Sequence, residues 1–251
     1  MQLQVNSISD QYLNHFASKT QDVILLHGLF GNLSNWKKTA QHFSPKHRVL
    51  IPELPLFDHF IGGNHLDKLV VFLENYIAIH HVHQPVLIGN SLGGHVALLY
   101  TLKHPDKVSK LVLAGSSGLY ENTFGGSFPR VKDYNYIKEK VADVFDRKEV
   151  VDNEMIDHVF GIVQHKLKVL SIIGLARDAQ RQNLAAYLPL IKIPVLLIWG
   201  LQDKVTPPAV GEEFKQLLAD ATLHYLDECG HAPMMEQPEL FNGFVAEFLA
   251  A

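Results

Sequence analysis

The sequence predicts an α/β fold in which helices flank a mostly parallel central sheet. Short apolar runs of strand character alternate with helical patterns along most of the 251 residues. That alternation is typical of parallel strands joined by right-handed crossovers. Residues 117–189 interrupt it, because they contain helical patterns but no strand pattern. We therefore predict a core formed by residues 1–116 and 190–251, with residues 117–189 inserted between two strands as a helical cap.

Composition excludes several classes of partner. The formal net charge is −4 and no basic patch is present, so nucleic acid is not an expected partner. The amino terminus lacks the pattern of a signal peptide, and no apolar run approaches the ~18 residues of a membrane helix. A single cysteine allows no internal disulfide and fits a reducing compartment. We therefore expect a cytoplasmic protein without a membrane span; its oligomeric state is left open.

The strands of the core are predicted from apolar runs bounded by glycine, proline or polar residues. They are Asp22–Leu26, Arg48–Pro52, Pro85–Ile88, Val108–Ala114, Ile193–Trp199 and Ala221–Leu226, with a less regular pair at Leu3–Val5 and Tyr12–Phe16. Helices are expected between them from the helical spacing of apolar residues. They are Ser34–Phe43, His65–His80, the segment from Ser91 towards Pro105, Val210–Leu218 and a closing helix through Leu240–Leu249.

Four helices are predicted in the cap. The first carries Ile137, Val141, Val144 and Phe145 on one face; the second begins at Asp152 or Asn153; the third covers Lys166–Ala179; the fourth covers Asn183–Leu190. The stretch from Tyr120 to Arg130 is rich in glycine and polar residues, which favours a flexible connection. An insertion of this kind is expected over the strand ends. The alternative is a set of extra helices packed at the edge of the sheet.

The most informative stretch is Ile88–Gly94, where a strand is followed by a tight turn and then a helix. Ser91 lies in the turn, and Gly89 and Gly93 lie two residues before and after it. A Gly-x-Ser-x-Gly elbow lifts a serine hydroxyl above the end of a parallel sheet, and the following helix directs its amino end towards the chemistry. The alternative interpretation is a glycine-rich turn that only packs helix against strand.

Ser91, Asp203 and His231 share one property, since each follows the carboxyl end of a predicted strand. In an open parallel sheet those ends face one crevice. A serine hydroxyl needs a base to become nucleophilic, an imidazole supplies one near neutral pH, and a carboxylate orients that imidazole. Glu121, which follows an earlier strand, is the alternative acid if Asp203 only caps a turn.

Four motifs in this order resemble the α/β-hydrolase superfamily over essentially the whole chain. They are His27-Gly28-Leu29, Gly89-Asn90-Ser91-Leu92-Gly93-Gly94, Gly200–Pro207, and Gly230-His231-Ala232-Pro233 followed by Glu236-Gln237-Pro238. The resemblance implies a catalytic triad of Ser91, His231 and Asp203. It also implies an oxyanion hole formed by the N–H groups of Leu29 and Leu92, with Phe30 as the alternative to Leu29.

The resemblance implies a serine hydrolase that cleaves a small ester without cofactor or metal. Phe30, Asn90, Val159 and Phe160 are the candidate substrate contacts. Carbon–carbon hydrolases that split ring-fission diketones share the Gly-Asn-Ser-x-Gly-Gly pattern and are the first alternative. Those relatives usually carry a tryptophan where this chain has Ala232, and an arginine from their cap binds the substrate carboxylate. Arg177 or Arg181 could bind a carboxylate in the same way, although a position on a surface helix explains both arginines equally well. A non-catalytic ligand receptor is the second alternative.

Overall fold

A computed structural model describes residues 21–58, 64–122 and 130–251. Six strands form one sheet in the order β2-β1-β3-β4-β5-β6, and every neighbouring pair is parallel. The strands are β1 (Asp22–Leu26), β2 (Arg48–Leu50), β3 (Val86–Asn90), β4 (Lys110–Ala114), β5 (Val195–Gly200) and β6 (Ala221–Leu226). The six predicted core strands are therefore present. The predicted pair within residues 1–20 lies outside the described residues, as do most of the predicted glycine-rich connection and part of the loop at 56–64.

Nine α-helices surround the described part of this sheet. They are α1 (Lys37–Phe43), α2 (His65–Ile79), α3 (Leu92–Lys103), α4 (Tyr134–Ala142), α5 (Asn153–Val163), α6 (Lys166–Arg181), α7 (Pro208–Leu217), α8 (Pro233–Glu236) and α9 (Pro238–Ala250). Short 3-10 turns cover Leu33–Trp36, Pro105–Lys107, Lys148–Val150 and Leu188–Leu190.

The sheet divides the apolar interior into two clusters because successive strand residues point to opposite faces. In β1, Ile24 and Leu26 face the cluster that includes α2, α3 and α7. Val23 and Leu25 face the cluster that includes α1, α8 and α9. All four side chains are fully buried. Burial on both faces explains why these strands appear in the sequence as continuous apolar runs.

Helices α4, α5 and α6 lie between β4 and β5 in the chain, inside the segment assigned to a cap. Asp152 caps α5, because its side chain accepts a hydrogen bond from the Met155 N–H at 2.8 Å. Residues of α4 and α5 join the cluster on one face of the sheet, whereas Leu175 and Ala179 of α6 join the other. The division into core and cap itself stays a prediction.

Two details of the predicted cap helices are wrong. The first helix ends at Ala142, so Val144 and Phe145 lie in the chain that follows it. The predicted fourth helix, Asn183–Leu190, is a turn followed by the short 3-10 turn at its end. The Asn183 side chain accepts from the Ala185 N–H at 2.9 Å, and Pro189 has no N–H to continue a helical ladder.

Among the described residues, no single helix has both the length and the apolar content of a membrane span. Only α5 and α6 taken together have the required length and apolar content, and these two helices are bent by 97° at the break between them.

Candidate active site

The turn between β3 and α3 holds Ser91 in a backbone conformation that non-glycine residues rarely adopt, with φ +53° and ψ −121°. A Cβ atom at Gly93 would lie 2.1 Å from the Leu26 carbonyl oxygen, and one at Gly89 would lie 2.5 Å from the Gly94 nitrogen. Both obstacles are backbone atoms, so neither glycine position accepts a side chain. The tight strand–turn–helix elbow expected from the sequence is therefore present.

His231 and Asp203 form a buried pair at the ends of β6 and β5. The Nδ1 atom of His231 lies 2.8 Å from the Asp203 Oδ2 atom, and the two residues are 6% and 4% exposed. The second carboxylate oxygen of Asp203 accepts from the N–H groups of Val205 at 2.8 Å and Thr206 at 3.0 Å. The Thr206 hydroxyl also donates to Oδ2 at 2.9 Å. The aspartate is therefore held on both oxygens, with one of them directed at the imidazole.

The end of β4 joins this pair to the serine elbow. The Ser91 N–H donates to the Ala114 carbonyl at 3.1 Å. A Cβ atom on the next residue, Gly115, would lie 3.0 Å from both Asp203 Oδ2 and His231 Nδ1. The three predicted triad residues therefore meet at the same edge of the sheet, around the carboxyl end of β4.

Asn90 strengthens the same junction. Its side-chain amide donates to the Ala114 carbonyl and to the His231 carbonyl, both at 2.9 Å, and the residue is 4% exposed. Both of its N–H donors are thus directed at the protein. We predicted Asn90 as a substrate contact, whereas these bonds favour a role in fixing the histidine loop to β4, directly beside Ser91.

Burial and charge act in opposite directions on the pKa of His231. Burial lowers it, but the charge of Asp203 and the hydrogen bond to Asp203 raise it, with further contributions from Glu121 and Glu236. The net pKa is raised above the ordinary value of a histidine, which means that the imidazolium is stabilised in the site. An imidazole with this environment is suited to accept a proton from a neighbouring hydroxyl.

Glu121 lies close enough to His231 for their charges to interact, but Asp203 makes the hydrogen bond. Burial raises the pKa of Glu121, and the charge of His231 opposes that shift. The next residue, Asn122, donates its backbone N–H to Val205 at 2.7 Å and its side-chain amide to Lys204 at 2.9 Å. Glu121 is thus fastened beside the Asp203 turn as a second carboxylate of the site.

The loop after β1 is held by His27. Its Nδ1 atom donates to the Gly28 carbonyl at 2.9 Å, and its Nε2 atom accepts from the Leu54 N–H at 3.0 Å. Burial lowers the pKa of His27 to about 4, so the ring is neutral near pH 7. A neutral ring with one donor and one acceptor fits these two partners and fixes the loop against the chain after β2.

One predicted oxyanion residue follows a glycine that approaches Ser91, and the other follows Ser91 in the chain. Leu29 follows Gly28, where a Cβ atom would lie 3.2 Å from the Ser91 Cβ atom, and Leu92 begins α3. Within the described part of the chain, neither the Leu29 N–H nor the Leu92 N–H donates a hydrogen bond to the protein. Free amides beside a nucleophile are suited to stabilise a developing oxyanion. The Phe30 side chain packs with the opposite apolar cluster from Leu29.

The other predicted substrate contacts belong to α5. Val159 is 7% exposed and packs in the cluster shared with α4. The Phe160 ring packs edge-on against Tyr134 of α4, with a centroid distance of 5.2 Å. These contacts join the cap helices to each other. Arg177 and Arg181 are both exposed, and Arg181 lines a surface depression between α2 and α6.

The sequence patterns assigned no role to two residues near His231. Glu236 is 4% exposed, and its carboxylate accepts from backbone N–H groups on both sides of His231. Its position five residues after the histidine is the signal that could have identified it. Cys229 is fully buried, and burial followed by the nearby charges of Glu236 and Asp203 raises the pKa of its thiol. No group of three or more potential metal ligands occurs among the described residues.

A parallel sheet with a serine elbow and a buried histidine–aspartate pair defines a hydrolase of the α/β type. The model of the Alpha/beta hydrolase family matches residues 23–244, so the chain belongs to that family.

The proteins that resemble this chain align with nearly all of its length. The hydrolase YugF of Bacillus subtilis (strain 168), which is described as uncharacterized, is 26% identical over 95% of this chain and 93% of its own length. The 2-hydroxy-6-oxononadienedioate/2-hydroxy-6-oxononatrienedioate hydrolase of Escherichia coli (strain K12 / DH10B) is 26% identical over 95% of this chain and 90% of its own. The crystal structure of MGS-MChE2, an α/β hydrolase enzyme from the metagenome of lagoon sediments at Mar Chica, Morocco, is 35% identical, with a TM-score of 0.75, covering 93% and 92% of the two chains.

Proposed function

We propose that this protein is a serine hydrolase that cleaves a small carboxylic ester through an acyl-enzyme, without metal or cofactor. One observation carries the proposal: the buried His231–Asp203 pair lies at the same sheet edge as the strained Ser91 elbow. The other contacts of the site support the role that each group takes in the reaction.

The Ser91 hydroxyl oxygen attacks the ester carbonyl carbon, and the Nε2 atom of His231 takes the hydroxyl proton. Asp203 accepts the Nδ1–H of the same ring, which keeps Nε2 free as the acceptor and stabilises the imidazolium. The carbonyl oxygen becomes an oxyanion beside the N–H groups of Leu29 and Leu92. The C–O bond then breaks, and His231 returns its proton to the leaving alcohol.

Deacylation repeats the sequence with water. His231 removes a proton from the water molecule, its oxygen attacks the acyl carbon, and the proton passes to Ser91 Oγ as the acid is released. Each half-reaction begins with the neutral imidazole. Because the pKa of His231 is raised, the rate depends on pH in the range where that ring loses its proton.

The charges of the site favour an ester over a substrate that carries its own carboxylate. Glu121 places a second carboxylate within electrostatic range of His231. The two candidate arginines of the cap, Arg177 and Arg181, are exposed on α6. A substrate carboxylate beside the reacting centre would therefore lie near another carboxyl group, and the two exposed guanidinium groups would not compensate its charge.

Carbon–carbon hydrolysis is the second candidate. The observation that favours it is the 26% identity, over 95% of this chain, to the Escherichia coli hydrolase of a ring-fission dienedioate. The same nucleophile, base and acid could act on a carbon–carbon bond next to a ketone. Against it stand Ala232 in the position after the histidine and the exposed arginines.

The test is a panel of p-nitrophenyl esters of increasing acyl length, run beside a ring-fission diketone on the purified protein and its Ser91→Ala variant. We expect ester turnover, labelling of Ser91 by a fluorophosphonate probe, and loss of both in the variant. Turnover of the diketone alone would establish the second candidate. Ligand binding without turnover of either substrate class, or labelling that persists in Ser91→Ala, would refute the proposed mechanism.

A further inference from the structure

We propose that Glu236 is a positioning residue that holds the His231 loop from its backbone side and fastens it to the chain following α4. The inference rests on the proposed function, because it assigns His231 the part of general base. It gives Glu236 no contact with the substrate. Its carboxylate instead fixes the position of the imidazole and connects the His231 loop to the first part of the predicted cap.

The carboxylate collects four backbone donors from two separate segments. Gly230 donates to both oxygens at 3.0 Å, and Ala232 donates to Oε1 at 3.3 Å. Asp146 and Arg147 donate to Oε2 at 2.8 and 3.0 Å. The residues before and after His231 are therefore held by the same group that holds the chain after α4. A buried carboxylate is stable only when bonds of this kind replace its hydration.

Direct contacts between the two segments reinforce this connection. The His231 N–H donates to the Val144 carbonyl at 3.0 Å. A Cβ atom at Gly230 would lie 2.7 Å from that carbonyl and 2.8 Å from the Asp146 nitrogen, so the chains approach too closely for a side chain there. At the surface, the Arg147 guanidinium lies 3.1 Å from the Glu228 carboxylate. The histidine loop and residues 144–147 thus form one hydrogen-bonded unit.

A carboxylate is required because all of its partners are donors. In Glu236→Gln, one oxygen becomes an NH2 group that must face backbone N–H groups, so two donors confront each other in a buried site. The loop would shift to separate them. Misplacement of a catalytic group by about 1 Å can cost about 100-fold in rate. In Glu236→Asp the charge stays, but the side chain is one methylene shorter and cannot reach both segments.

The charge of Glu236 also acts on His231. Asp203, Glu121 and Glu236 are the carboxylates that raise the pKa of this histidine against the effect of burial. Loss of the Glu236 charge removes one of these contributions, so the pKa of His231 moves down. The pH profile therefore tests whether the Glu236 charge acts on the imidazole, and the kcat of the folded variants tests whether the carboxylate positions it.

The experiment compares Glu236→Gln and Glu236→Asp with a matched control, Glu239→Gln, on the ester that the wild-type protein turns over fastest. Glu239 lies three residues further along, and its only described ion pair is a 3.8 Å surface contact with Lys38. We expect kcat to fall about 10- to 100-fold in both Glu236 variants, with KM within about three-fold. The acidic limb of the pH profile should move to lower pH in Glu236→Gln and stay in Glu236→Asp. The control should match the wild type.

Three outcomes would overturn the inference. One is a lower melting temperature in Glu236→Gln with unchanged kcat, which would show a purely structural role. Another is a rise in KM alone, which would place Glu236 in substrate binding. The third is an equal loss in Glu239→Gln. If Glu236→Gln does not fold, the kcat of Glu236→Asp decides, since wild-type kcat in that variant refutes the positioning role. Failure of the wild-type protein to turn over any ester is a different result, because it refutes the proposed function itself.

Discussion

Replacing Asp203 with asparagine should disable the candidate base by reversing the tautomer of His231. The orientation of the new amide follows from the hydrogen bonds of Asp203. Its Oδ1 position accepts from two backbone N–H groups, those of Val205 and Thr206, so the amide oxygen must stay there. The NH2 group then takes the Oδ2 position, 2.8 Å from the Nδ1 atom of His231. Because NH2 is a donor, Nδ1 must become an acceptor, and the ring proton moves to Nε2.

A ring that carries its proton on Nε2 cannot accept the proton of Ser91. A substitution of this kind in a serine triad costs about 10,000-fold in kcat, which corresponds to about 5.5 kcal/mol of activation free energy. We expect a loss of this order in Asp203→Asn with an unchanged melting temperature. The assay is ester hydrolysis, with circular dichroism to confirm folding. Glu121→Gln is the matched control, and we expect less than a ten-fold change, because Glu121 makes no hydrogen bond to the imidazole in the described structure.

Loss of less than ten-fold in Asp203→Asn, or a larger loss in Glu121→Gln, would refute this reasoning. The second result would move the acid to Glu121, which is within electrostatic range of His231. If both variants lose activity and are partly unfolded, fluorophosphonate labelling of the folded fraction separates loss of the acid from loss of the fold. Folded Glu121→Gln should react with the probe at the wild-type rate.

Two further predictions concern pH and the cap. Because the pKa of His231 is raised above the ordinary histidine pKa of about 6.5, the protonated and inactive ring persists to higher pH. The value of kcat/KM should therefore fall as the pH drops through a midpoint above that ordinary pKa. A midpoint clearly below it would contradict the balance of charge and burial assigned to His231. In the cap, Val159→Ala and Phe160→Ala should reorder the preference for acyl length while probe labelling of Ser91 persists. Val159→Ala should also lower the free energy of unfolding by about 1–3 kcal/mol because its side chain is buried. An unchanged ranking of esters in both variants would show that the substrate preference resides in the core loops.

The sheet and the elbow were predictable because their signals are local. Strands such as β3 and β5 are buried on both faces and appear as continuous apolar runs. The elbow requires glycine at 89 and 93 through contacts with backbone atoms, which leaves a fixed pattern in the sequence. Ser91, Asp203 and His231 each follow a predicted strand, and parallel strands have their carboxyl ends at one edge of the sheet. The sequence therefore indicated that these three residues lie close together.

The connections that depend on tertiary contacts could not be predicted. Asn90 is next to Ser91, but its bond to the His231 carbonyl spans 141 positions in the chain. Glu236 was part of a motif, yet nothing local indicates that its other partners are the N–H groups of Asp146 and Arg147. The spacing of Val144 and Phe145 favoured a longer α4, whereas the chain leaves the helix there and presents the Val144 carbonyl to His231.

The buried thiol of Cys229 has a practical consequence for spectroscopy. It is the sole cysteine of the chain, it is fully buried, and its raised pKa keeps it in the unreactive protonated form. Maleimide and spin-label reagents should therefore leave the native protein unmodified, with no need to remove this residue beside the histidine. A cysteine introduced at Leu167, which is 57% exposed on α6, would then be the sole labelled position. A fluorophore there would show whether α6 moves when substrate is added, with no other change in the candidate active site.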